Sequence, residues 1–213
     1  IEDACHALSA KYSIKKNYKV GNCKFSDIAT FSFHPVKTIV TGEGGAITTY
    51  SEKIFEYAKK MRNHGIIKKN YKEPWIYEMQ ELGYNYRITD FQCALGISQL
   101  SRLKSIVMKR SYLVKKYNEK IGKISKYIKT PENFSKTDKI GWHLYSPRIN
   151  FQKLGVSRAT FMDRLREKGV ASQVHYIPIN KQPYYRKRYG NIKLAGAERY
   201  YKQTLSLPLH TNM

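Results

Sequence analysis

The segment from Asp27 to Tyr50 limits what this chain can fold into more than any other. Asp27–Phe33 (DIATFSF) mixes β-formers with small residues and runs into His34-Pro35, so it reads as a strand that ends in a loop. The glycine-rich turn Gly42-Glu43-Gly44-Gly45 follows, and Gly45–Tyr50 (GAITTY) reads as a second short strand. Ser51 then stands where a helix to Arg62 needs an N-cap, with Ile54, Tyr57, Ala58 and Met61 on one face. Strand and helix alternate, which predicts the α/β class, and in α/β sheets chemistry gathers at strand ends.

From Thr89 the pattern turns helical. Phe91, Ala94, Leu95, Ile97, Leu100, Leu103, Ile106 and Val107 recur at three-to-four spacing, and the run continues to Ile121. A pair of helices, or one long bent one, is expected to link two lobes. The polar stretch Thr130–Lys139 reads as a surface loop. A smaller α/β lobe is expected beyond it: a strand over His143–Phe151, a helix capped by Ser157 that buries Phe161 and Leu165 and stops at Gly169, a strand over Val170–Tyr176, and a last helix over Ala195–Thr204.

A formal charge of +23 and a pI near 9.9 raise nucleic acid or an anionic membrane as partners. The basic residues are mostly Lys and are spread along the chain, which suits a solvated surface, and no RNA-binding motif or Cys/His finger accompanies them. Neither nucleic acid nor membrane is expected as a partner. Cys5, Cys23 and Cys93 form no CxxC pair, so a disulfide framework and a metal site are not expected, and a reducing cytoplasm suits them. The opening Ile1-Glu2-Asp3-Ala4 has no initiator Met, charged n-region or long apolar run, and reads as a soluble chain that starts mid-domain.

Three clusters carry chemistry. In Ser32-Phe33-His34-Pro35-Val36-Lys37, the lysine follows a strand-to-loop transition, where an amine held in a partly dry pocket can attack a carbonyl. Ser32 can offer a hydroxyl and a backbone N–H to a phosphate. In Asp3-Ala4-Cys5-His6-Ala7, the acid sits at what reads as a strand's end, the place for a carboxylate that keeps a pyridine ring protonated, although a helix N-cap is the plain alternative. Leu82-Gly83-Tyr84-Asn85-Tyr86-Arg87-Ile88-Thr89-Asp90 reads as a turn with Thr89 capping the next helix.

Together and in this order, the clusters resemble the DegT/DnrJ/StrS family of sugar aminotransferases over essentially the whole chain. The resemblance implies fold type I of the pyridoxal-phosphate transferases, with 1–100 as the C-terminal part of the large cofactor domain and 101–213 as linker helix and small α/β domain. It implies pyridoxal 5'-phosphate carried by Lys37, Asp3 on the pyridine nitrogen, His6 beside the ring hydroxyl, and Ser32 on the phosphate. It also implies that Asn85 reaches the phosphate of a neighbouring subunit, hence a homodimer with shared sites.

The stretches His64–Lys69 (HGIIKK), Glu81–Asp90 and Val174–Tyr185 (VHYIPINKQPYY) look most like one branch of that family. They imply transfer of an amino group from L-glutamate to the C4 ketone of a UDP-linked 6-deoxy-hexose in pseudaminic acid biosynthesis, with His175, Tyr176, Ile177 and Pro178 touching the sugar nucleotide. A packed strand histidine is the alternative for His175. Family members begin with further strands, a small-residue phosphate loop and a ring-stacking aromatic, and continue with a helix after Met213, so the resemblance implies a fragment that could lack activity by itself. Three rivals stand beside this: another nucleotide-sugar C3/C4 aminotransferase, a relative that removes a hydroxyl and replaces the lysine with histidine, and a binding protein of the same fold.

Overall fold

The computed structural model describes residues 1–13, 15–68, 72–131 and 139–213. The chain divides into two units: one takes Ile1–Ser105 with a return segment ending at Gly141, and the other takes the chain from Ile106 and then Trp142–Met213. No helix among the described residues is long and apolar enough to cross a membrane.

The first unit holds strands β1 (Glu2–Asp3), β2 (Lys11–Ser13), β3 (Tyr18–Lys19), β4 (Ala29–Ser32) and β5 (Gly45–Thr48), helix α1 (Glu52–Arg62), β6 (Ile66–Ile67), β7 (Glu78–Met79) and helix α2 (Asp90–Ser101). Its sheet runs β1-β4-β5, with β1 parallel to β4 and β5 antiparallel to it. The register sets Asp3 beside Thr30 and Ser32 beside Gly45. Ala4 and Ala29 are fully buried, and Thr38, Ile39 and Thr41 bury the loop after β4. Ser51 caps α1 by accepting from the Ile54 amide, and Thr89 forms a capping box with Gln92 at α2.

Gly83–Arg87, expected as a turn, is extended instead, because the chain after α1 recruits it as a pairing partner. The Tyr84 amide donates to the Met61 carbonyl (2.7 Å), the His64 amide to Tyr84 (2.8 Å) and the Tyr86 amide to Arg62 (2.9 Å). This crossing requires two glycines. A Cβ on Gly65 (φ +69°) would stand 1.8 Å from the Glu81 carbonyl oxygen, and one on Gly83 would stand 2.1 Å from the Gly65 nitrogen. Residues 69–71 of HGIIKK and of the loop after it lie outside the described residues, as do 132–138 of the polar stretch.

Helix α3 (Leu103–Ile121) follows α2 after a break at Arg102. Of the apolar positions from Phe91 to Val107, only Val107 is deeply buried, whereas Phe91 is 91% and Ile97 69% exposed. The second unit continues with β8 (Ile128–Lys129), β9 (Arg148–Ile149), α4 (Arg158–Glu167), α5 (Pro183–Tyr189) and α6 (Ala195–Gln203). Its core has two clusters, Val114–Tyr145–Leu209 and Ile149–Phe151–Leu205, with Leu207 packed against both.

The expected strand over His143–Phe151 is cut to Arg148–Ile149, because Pro147 supplies no amide hydrogen. The expected strand over Val170–Tyr176 is reduced to one bridge, Gln173 with Ser206. Its partner is only four residues long, Thr204–Leu207, since α6 ends at Gln203 and Pro208 follows. That short segment lies between Tyr145–Arg148 on one side and Gln173 on the other.

Candidate active site

Two parallel neighbours, β1 and β4, end on the same side of their sheet, and this brings residues distant in sequence to one place. Asp3 closes β1, and the Ala4 amide next to it donates to the Thr30 carbonyl of β4 (2.9 Å). Asp3 is exposed and caps no helix. Its Oδ1 accepts the Cys5 amide at 3.1 Å. The Cys5 thiol, then that amide, and then the charges of His6 and Lys37 hold the Asp3 carboxyl below the usual carboxylate range. Burial, then the Asp3 carboxylate, pushes the Cys5 thiol up. Lys37 acts electrostatically on both Asp3 and Cys5, so the amine belongs to this locale.

The loop after β4 is tied down by its backbone. The Phe33 amide donates to Gly44 (2.8 Å), the Thr41 amide to Phe33 (2.9 Å) and the Lys37 amide to His34 (2.9 Å). Lys37 is half-buried, between exposed Val36 and buried Thr38. Ser32, half-buried at the end of β4, accepts the His34 amide at 3.4 Å. The Thr41 hydroxyl and the Gln92 amide both donate to the Glu43 carbonyl (2.7 and 2.9 Å), which fixes the glycine turn against the start of α2. The result is a fixed acid, an amine, an imidazole and a hydroxyl at the ends of two strands. Such a set can hold a charged heteroaromatic ring with an anionic tail and move protons next to it.

The sequence pattern of one aminotransferase family runs over residues 1–213, every position of the chain. The chain belongs to the DegT/DnrJ/EryC1/StrS aminotransferase family. A Campylobacter jejuni relative named UDP-4-amino-4,6-dideoxy-N-acetyl-beta-L-altrosamine transaminase is 40% identical over 215 residues, covering 100% of this chain and 54% of the relative. A Helicobacter pylori structure, PseC, described as an aminotransferase involved in the biosynthesis of pseudoaminic acid, superposes with a TM-score of 0.87 at 35% identity over 99% of this chain and 54% of that one. A Streptococcus pneumoniae sugar aminotransferase in its PLP form gives a TM-score of 0.83 at 26% identity over 99% and 52%. The fold is therefore that of the sugar aminotransferases, and the chain spans about half the length of the relatives it matches.

Other residues singled out by the family resemblance are placed as follows. Asn85 is exposed in the first unit, in a bridge with Asn63, and among the described residues its side chain makes no hydrogen bond. Stacked Tyr84 and Tyr86 (4.7 Å) flank it. His175, Tyr176, Ile177 and Pro178 belong to the second unit. His175 is half-buried, with Nδ1 2.7 Å from the Ser206 hydroxyl and its ring edge-on to Tyr176, while Tyr176 and Ile177 are exposed. Sequence reasoning missed two residues of these sites. Cys5, which bonds to Asp3, had a signal in its place between Asp3 and His6; Ser206 had none, because only the tertiary fold brings it to His175.

Proposed function

We propose that the full-length protein is a pyridoxal 5'-phosphate-dependent aminotransferase that moves an amino group from L-glutamate to C4 of a UDP-linked 4-keto-6-deoxy-hexose. The sugar is of the UDP-2-acetamido-2,6-dideoxy-β-L-arabino-hex-4-ulose type, and the step belongs to pseudaminic acid biosynthesis. The observation that carries this reading is Lys37 within electrostatic reach of an Asp3 carboxyl held in its charged form at the joint ends of β1 and β4. The names of the relatives at 35–40% identity support the substrate class.

The donor set fits the cofactor. Lys37 offers an amine for its aldehyde, Asp3 an acid for its ring nitrogen, His6 an imidazole for its ring hydroxyl and Ser32 a hydroxyl for its phosphate, with Asn85 of the partner subunit as a further phosphate ligand. When bound, pyridoxal phosphate supplies an electron sink for charge formed at an amino-bearing carbon. The fixed charge of Asp3 favours a proton on the ring nitrogen. Lys37 Nζ, once neutral, takes the proton from Cα of glutamate in one half-reaction and hands a proton to C4 of the sugar in the other, a positioned general base and acid. His175, Tyr176, Ile177 and Pro178 contact the sugar nucleotide.

In this reading 1–100 is the C-terminal part of the large cofactor domain and 101–213 the linker helix and small domain. A homodimer is part of this reading, since Asn85 is assigned to the partner's cofactor phosphate. A cytoplasmic setting suits three free cysteines. The test is direct: record the absorbance of a lysine-bound cofactor, fix it with borohydride, locate the label, and then supply a UDP-linked 4-keto sugar with glutamate. Label on Lys37 and formation of 2-oxoglutarate are expected. Label on another lysine, or no 2-oxoglutarate, overturns the reading.

A further inference from the structure

Two elements of the first unit meet at one carbonyl. The Glu43 carbonyl oxygen accepts from the Thr41 hydroxyl at 2.7 Å and from Gln92 Nε2 at 2.9 Å. Thr41 belongs to the loop that carries Lys37 and is 4% exposed, and Gln92 stands in the first turn of α2. The other end of the same carboxamide is engaged as well: Gln92 Oε1 accepts the Thr89 amide at 2.9 Å and the Thr89 hydroxyl at 3.0 Å. These partners fix which end of the carboxamide points where, since a backbone carbonyl only accepts and a backbone amide only donates. One turn further along α2, Gly96 is buried, and a Cβ there would stand 3.1 Å from Thr41 Cγ2. Helix and loop are therefore in close contact, with Gln92 bonded to both.

The capping box explains only half of what this residue does. A glutamate three residues after Thr89 would accept the same amide and serve the cap equally well. What glutamate lacks is an N–H for the Glu43 carbonyl. That carbonyl belongs to the base of the loop, where Phe33 pairs with Gly44 (2.8 Å) and with Thr41 (2.9 Å), and Lys37 lies between. In the aminotransferase reading Lys37 Nζ serves two carbon atoms in turn, so its side chain must swing while the backbone beneath it stays in place. Resting on that reading, we infer that Gln92 is a positioning residue that holds the Lys37 loop to the first turn of α2 through the Glu43 carbonyl.

The experiment uses the full-length protein and two substitutions. Gln92→Glu keeps the cap and removes the donor, and Gln92→Met removes donor and acceptor without adding a charge. Residue-resolved amide hydrogen exchange is measured first, without added pyridoxal phosphate. The Phe33 and Thr41 amides should exchange roughly fivefold faster in both variants. The Thr89 amide, which the cap protects, should keep its parent rate in Gln92→Glu and lose protection in Gln92→Met. With cofactor, glutamate and a UDP-linked 4-keto sugar, kcat should fall roughly tenfold in both variants while KM for the sugar nucleotide stays within about twofold. Phe33 and Thr41 exchange at the parent rate in Gln92→Glu, or an unchanged kcat, overturns the inference and leaves Gln92 as a cap. Failure of the aminotransferase reading looks different: borohydride then fixes no label on Lys37 of the parent, and the exchange pattern alone decides whether Gln92 holds the loop.

Discussion

In the first unit Asp3 and His6 are exposed and Ser32 and Lys37 half-buried, all carried on strand ends and backbone turns. In the second unit Ser206 and Arg110 are buried, and protein atoms occupy them: Ser206 bonds to His175 and Ser146, and the Arg110 guanidinium donates to the carbonyls of Trp142 (3.3 Å) and His143 (2.9 Å). Burial lowers the Arg110 pKa below its ordinary value, yet the group stays inside because it anchors those carbonyls. Among the described residues the first unit buries mainly Ala4, Ala29 and Ile39, whereas the second packs Val114, Tyr145, Ile149, Phe151, Leu205 and Leu209. An exposed polar group is one that a ligand can reach, and a buried polar group bonded to protein holds shape. Substitutions of the exposed and half-buried site residues of the first unit should therefore change chemistry with little change in stability, and those of the buried apolar residues of the second the reverse.

The largest effect that would break this contrast is at Lys37. In the full-length protein Lys37→Ala should lower steady-state transamination roughly 10³-fold or more, while unfolding free energy stays within about 0.5 kcal/mol of the parent. Turnover near the parent rate would sink the proposed chemistry; a large loss of stability would sink the contrast. Leu205→Ala, at a position with no exposed surface, should cost about 2–5 kcal/mol of stability, read by urea unfolding from Trp142 fluorescence in a Trp75→Phe background. Activity per folded molecule should be retained, and a cost below about 1 kcal/mol would mean that the second interior is not the tighter one.

Asn85→Ala sharpens the comparison at an intermediate scale. Cofactor retention should weaken by about 1.5 to 3 kcal/mol, the worth of one hydrogen bond to a charged group, without unfolding. Mixed dimers of Asn85→Ala with Lys37→Ala contain one site that escapes both changes and should regain activity at limiting cofactor. No recovery under demonstrated subunit exchange would return Asn85 to its own subunit.

Tyr145→Phe should show the smallest effect. The hydroxyl donates to Asn118 Oδ1 (2.8 Å) and its ring stacks on Tyr117 (4.5 Å); the loss should be about 1 kcal/mol at neutral pH. Burial, then neighbouring Tyr117, pushes the Tyr145 hydroxyl up from 10.0 to about 12. Because the folded value lies above the unfolded one, this contribution is fully present below pH 10 and is lost as pH rises from 10 toward 12. The parent should lose stability more steeply than Tyr145→Phe across that window. Parallel curves would show that the hydroxyl is not shielded.

What the sequence reveals is mostly local. Ser51, Thr89 and Ser157 can be read as caps from their places before helical repeats, and each accepts or exchanges a hydrogen bond there. Strands β4 and β5 follow from β-formers broken by His34-Pro35 and the glycine turn. Helix α5 went unread although Pro183 at its start and Gly190 at its end mark it. The hairpin of β2 and β3 rests on residues with weak strand signals, such as Lys11 and Lys19. Non-local pairing is harder to see. Gly83–Arg87 becomes extended only because α1 ends beside it, and Asp3 stands near Lys37 only because β1 pairs with β4 in parallel. No spacing rule links positions 3 and 37, and resemblance to a family supplied that pair.

The crossing of Gly65 and Gly83 has a consequence for anyone who maps this protein by saturation mutagenesis. In a selection for enzymatic output, both positions should reject every alternative side chain as firmly as Lys37 does, since even alanine would press a methyl into backbone at 1.8 or 2.1 Å. A tolerance map alone would thus sort two glycines with no reactive atom among the catalytic residues. A parallel selection for soluble yield separates them: the glycine variants drop out of both screens, and the Lys37 variants drop out of one.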